Sequence, residues 1–191
     1  MTRAIDRGAI VGGWVGVGMA LTIGISFLLV IPVGDVALSL FAPLAGLLIG
    51  YYANQLSDRR GGPWPRLLAN GLYAGLLTGL GFALFALLVK GLFFVADDGY
   101  RDASAGGRIA CNQGADCVYR RYVAAGHDQE LRAAGVTDAA SFSAYYWGQG
   151  MATDGSFIVL SLGGAAAGAL VYGITNRRRP SPATAGTVGA G

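Results

Sequence analysis

Residues 67–89 read LLANGLYAGLLTGLGFALFALLV, 23 positions without an Asp, Glu, Lys or Arg. As a helix rising 1.5 Å per residue the stretch covers about 35 Å, enough to cross the ~30 Å hydrocarbon core of a bilayer. Within it Gly71, Gly75 and Gly79 recur every four residues, which places them on one helix face. In lipid, helices gain little by hiding apolar side chains from one another. A face without side chains lets two backbones approach and gain dispersion contact instead. The stretch therefore predicts a membrane-spanning helix together with a close neighbour for it.

Three further stretches have the same character. Gly8–Gly34, Val36–Leu56 and Gly155–Asn176 carry no charged residue, and each is long enough to span. Small residues repeat at the same spacing in all of them: Gly8, Gly12 and Gly16; Ala42, Gly46 and Gly50; Gly164 and Gly168. Of the 191 residues, 53% are hydrophobic, 13% are charged and 32 are glycine, a balance unlike that of a soluble domain. The expected fold is an all-α integral membrane protein. It comprises a four-transmembrane-helix bundle with a small, mostly helical, disulfide-bearing extracytoplasmic insertion between helices 3 and 4. Residues 1–96 would hold the first three spans, 97–154 the insertion, 155–176 the fourth span and 177–191 a disordered tail.

Charge orients this arrangement. Arg3 and Arg7 precede the first span, Arg59, Arg60 and Arg66 separate the second from the third, and Arg177, Arg178 and Arg179 follow the fourth. The positive-inside rule then puts both termini in the cytoplasm, in the plasma membrane of the cell. Arg101, Arg108, Arg120, Arg121 and Arg132 are spread thinly over the long insertion. The basic residues read as topology signals, and no nucleic-acid partner is expected. The first span reads as a retained signal anchor, since the Ile31-Pro32-Val33-Gly34 exit lacks a small-residue cleavage pattern.

Cys111 and Cys117, the two cysteines of the chain, fall in the insertion on the side where thiols oxidise, and a disulfide is expected between them. Asp116 is the expected cap of a helix with Val118, Tyr119, Tyr122 and Val123 on its apolar face and Arg120 and Arg121 opposite. Asp128 opens a second helix ended by Gly135, and Thr137 and Asp138 open a third, Ala139–Gly148. Trp64, Tyr145, Tyr146 and Trp147 are expected to form interfacial aromatic belts.

Polar groups inside the spans are few, and they mark where function would be sought. Asn54 and Asn70 are expected to bond the second and third helices, with Thr78 on the face of Asn70. Lys90 is expected to snorkel toward Asp97 or Asp98. No carboxylate lies in mid-span, which argues against a proton-coupled carrier. A single histidine, no clustered metal ligands and no Gly-x-Ser-x-Gly elbow leave no catalytic, metal or cofactor residues to name. The layout is similar to that of tetraspanins in topology alone. The Cys-Cys-Gly motif that marks their outer loop is absent, so no partner or site is carried over.

The expected function is that of a non-catalytic polytopic protein, an accessory or scaffold subunit that binds another membrane protein, with the lipid bilayer as its solvent. One alternative is a homo-oligomeric channel whose glycine stripes pack subunits around a pore; another is a sensor acting through the insertion. The first two differ in whether the stripes face inside one bundle or around a symmetry axis.

Overall fold

The computed structural model describes residues 5–30, 35–57, 62–96 and 114–177. All regular elements among these are helical: α1 (Arg7–Val30), α2 (Asp35–Gln55), α3 (Trp64–Ala96), α4 (Ala115–Tyr122), a π-helical turn (Val123–His127), α5 (Asp128–Ala133) and α6 (Ala139–Arg177). Stretches of α1, α3 and α6 are long and apolar enough to cross a membrane: Arg7–Ser26, Trp64–Leu92 and Ala139–Asn176. The chain divides into two compact units, one of Met1–Gly81 with Phe157–Gly191 and one of Phe82–Ser156.

The first unit holds α1, α2, the first half of α3 and the second half of α6. Asp6 starts α1 by accepting the amides of Ala9 and Ile10 on its carbonyl, and Pro63 does the same for Arg66 and Leu67 of α3. Pro65 lies in the first turn of α3, where a missing N–H costs nothing. The contacts at the glycines set the directions of the helices. Gly8, Gly12 and Gly16 meet Leu56, Ala53 and Ile49 in turn, so α1 and α2 are antiparallel. Gly13 meets Leu77, and Gly81 meets Ala20, so α1 and α3 are parallel. Gly71, Gly75 and Gly79 meet Ala169, Ala165 and Ile158, an antiparallel register with α6, which itself runs parallel to α2. Ile49, Ala53 and Ala74 pack with Met19 in the middle. Pro43 lies within α2, its carbonyl against Gly164 and the neighbouring Ala42 carbonyl bonded to the Ser161 hydroxyl at 3.2 Å.

The second unit folds α4, the π turn and α5 onto the start of α6 and the end of α3. Its core is Val118, Leu131, Val136, Phe142 and Tyr146, with Phe94, Tyr119, Tyr122, Tyr145 and Trp147 against it. Gly126, at φ 87°, adopts a left-handed conformation that side chains resist, and it bends the chain between α4 and α5. Gly135, at φ 77°, ends α5. The Val136 amide reaches the Leu131 carbonyl at 2.8 Å and the Gly135 amide reaches Arg132 at 3.0 Å, a Schellman pairing in which Val136 and Leu131 also touch in the core. Asp138 and Ser141 cap α6 reciprocally: the Ser141 amide donates to Asp138 Oδ1 at 2.8 Å and the Asp138 amide to Ser141 Oγ at 3.1 Å.

Three local expectations change. The helix from Ala139 does not stop at Gly148; α6 runs unbroken for 39 residues, because isolated glycines in a long apolar helix cost too little to end it. Asp116 is not the cap of α4. Gly114 takes that position and Asp116 sits in the first turn, paired with Arg120, where its charge complements the helix dipole. Arg121 does not face water but is 4% exposed.

Candidate functional site

Two groups of residues from the first unit merit functional reading, the glycine seams and a polar junction. The seams are close helix contacts in which a Cβ has no room. A Cβ on Gly46 would overlap the Ser161 carbonyl, one on Gly50 the Ala165 carbonyl, one on Gly164 the Pro43 carbonyl and one on Gly168 the Leu47 carbonyl. On α3 a Cβ at Gly71 would lie 2.9 Å from Ala169 Cβ, one at Gly79 2.8 Å from Ile158 Cα, and one at Gly75 would overlap Ala165. Gly12 sits against Ala53 at 2.9 Å, and Gly16 against the Thr78 hydroxyl. All nine glycines expected to mediate packing therefore face helices of the same chain. Gly18 and Gly163, by contrast, have nothing within 4 Å of where a Cβ would stand, and they face outward.

The junction gathers four polar side chains at one end of the same unit. Asn54 and Asn70 are both 0% exposed. Asn54 Nδ2 donates to the Gly50 carbonyl of its own helix at 2.9 Å and to the Leu67 carbonyl of α3 at 3.0 Å. Asn70 turns elsewhere: its Oδ1 accepts the Asp6 amide at 3.2 Å and its Nδ2 donates to Asp6 Oδ2 at 3.3 Å. Ser57 donates to the same carboxylate oxygen at 2.6 Å, a short, charge-assisted bond. The segment ahead of α1 is thus tied to the end of α2 and the start of α3. Asn54 does bond the second helix to the third, while Asn70 bonds α3 to Asp6. Thr78 closes on its own helix, donating to Ala74 at 2.9 Å.

Asp6, Ser57 and Ser161 were not singled out from the sequence. A signal existed for the first two, since each lies within two residues of a span boundary on the same predicted side. Ser161 had none, because a lone serine within an apolar run does not reveal which face it occupies.

In the second unit, Lys90 lies along α6. Its Nζ stands 4.3 Å from the Tyr146 ring centre, a cation–π distance, its stem fills the groove at Gly150, and its carbonyl accepts the Tyr146 hydroxyl at 3.2 Å. Its expected partners Asp97 and Asp98 lie outside the described residues. Of the expected belt, Tyr146 is 7% exposed within the core, Tyr145 and Trp147 are half-buried on it, and Trp64 covers Gly173. Cys117 is 4% exposed, and Cys111 lies outside the described residues, as do residues 31–34 and those beyond Arg177. The Asp138 carboxyl is held below its ordinary range, first by the Ser141 amide and next by the Ser141 hydroxyl. Among the described residues no three metal-ligating side chains converge.

No family model, curated protein or solved structure matches this chain.

Proposed function

We propose that the protein is a non-catalytic accessory or scaffold subunit that binds another membrane protein through the outer face of α1. The observation that carries this reading is the direction of the seams: the small residues that would pack a ring of subunits are already used within one chain. Among the residues of α1 that face outward, Trp14 is the most exposed of the large apolar ones at 69%, with Gly18 open beside it and Thr22 one turn on. Gly13 is level with Leu77, thirteen residues or about 20 Å beyond Trp64. That depth lies inside a ~30 Å hydrocarbon layer, away from either surface. Tryptophan favours the membrane interface, and lipid tails offer its indole N–H no acceptor. A partner helix would supply one.

This reading uses four spans, with α2 crossing beside the other three, both termini in the cytoplasm of a plasma-membrane protein, and a Cys111–Cys117 bridge in the outer insertion. The register of α2 with α1 and α6 supports the fourth span. The bridge is taken from the placement of both cysteines, six residues apart, in the outer insertion. Native mass spectrometry of the protein extracted gently from its own membrane tests the function. A stoichiometric second chain, lost in Trp14→Ala/Gly18→Leu and kept in Gly163→Leu, is the expected result. A discrete homo-oligomer with single-channel conductance would favour the pore instead.

A further inference from the structure

Asn54 Oδ1 is buried and accepts no hydrogen bond, although both protons on the same amide are committed, one to Gly50 and one to Leu67. The donor pattern also fixes the amide's orientation, since exchanging oxygen and nitrogen would set an oxygen against two carbonyls. A buried carbonyl oxygen left in this way is costly, and nearly all such groups in folded proteins find a donor. Complementary groups are carried by the other buried amide of the junction, Asn70. Asn54 is bonded to residue 67 and lies 3.7 Å from the Cβ position of residue 71, so Asn70 sits at its level on α3. Asn70 uses one lone pair of Oδ1 on the Asp6 amide and one proton of Nδ2 on the Asp6 carboxylate. A second lone pair and a second proton remain on it.

No side chain in the junction supplies the missing donor, and a small molecule with two donors and two acceptors fits the inventory. We propose that one internal water molecule is bound between the amides of Asn54 and Asn70. It donates to Asn54 Oδ1 and completes its bonding at the Asn70 amide, within the two to four partners that internal waters hold. Its role is to join α2 to α3 a second time, beside the direct bond from Asn54 to Leu67. The water thereby couples α2 to Asp6 through Asn70.

Water-edited solid-state NMR on the full chain in bilayers tests this. The chain has four asparagines, Asn54, Asn70, Asn112 and Asn176, so labelling at asparagine and alanine, with single Asn→Gln variants and Ala74→Gly, assigns the side-chain carbons compared. Magnetisation from water protons is expected to reach the Asn54 carboxamide at short mixing times, well before the equally buried Ala74 methyl. The same transfer is expected in sodium, potassium or N-methylglucamine buffer. Build-up at Asn54 no faster than at Ala74 would overturn the proposal. A signal that vanishes in sodium alone would overturn it too, because a cation would then hold the oxygen. Asn70→Leu should remove the transfer at Asn54 if the protein still folds; the wild-type measurement decides the matter if it does not.

Discussion

Neighbouring residues on α6 have opposite surroundings. Gly164 faces the Pro43 carbonyl with no room for a methyl group, while Gly163 opens outward. Gly164→Leu should lower the melting temperature in detergent and cost at least the 1–3 kcal/mol typical of overpacking, whereas Gly163→Leu should stay within about 0.5 kcal/mol of the wild type. Equal melting of the two variants would mean that the seam does not form. Asp138 makes a prediction in pH. Its folded carboxyl titrates below the unfolded one, so its contribution to stability is complete above the unfolded value of about 4 and disappears as pH falls through the folded value. Asp138→Ala should therefore melt below wild type at neutral pH, and the gap should narrow on acidification below about pH 4. A gap that holds constant down to pH 2 would contradict this account.

Among the elements, those with strong local signals were legible in advance. The long helix over 67–89, the end of the short helix at Gly135 and the start at Asp138 all agree with the structure, because a long uncharged run, a left-handed glycine and an Asx cap each act within a few residues. What could not be read depends on neighbours distant in sequence. Arg121 is buried by packing that no window of residues around it encodes, and Asn70 chose Asp6, 64 positions away, over the nearer amide. A helix ending at Gly148 and a separate span from Gly155 are the expectation, yet α6 crosses Gly148, Gly150 and Asp154 unbroken. Gly135 provides the test at this scale. Gly135→Ala forces a methyl group into the left-handed region and should cost about 1–2 kcal/mol, read as a lower melting temperature of the full chain. No change would mean that the Schellman turn can be rebuilt with ordinary dihedrals.

For the molecule in its membrane, topology and redox state are open to direct labelling. Cysteine placed at Thr184 should resist a membrane-impermeant maleimide in sealed cells, and native Cys111 and Cys117 should react only after reduction. Labelling at position 184 would invert the proposed orientation, and labelling of the native pair without reductant would remove the bridge.

The seams also have a translational property. A stripe of small residues every four positions nearly repeats itself when one helix slides along the other by four residues, about 6 Å: Gly46 would take the berth of Gly50, and the contact would look much the same. Dispersion forces alone choose poorly between such settings. The bonds from Asn54 to Leu67, from Ser57 and Asn70 to Asp6, and from Ser161 to Ala42 do not repeat, and each is lost on a one-turn slip. The few polar side chains of the first unit thus act as a vernier on an otherwise periodic scale, selecting which of several equivalent notches the helices occupy.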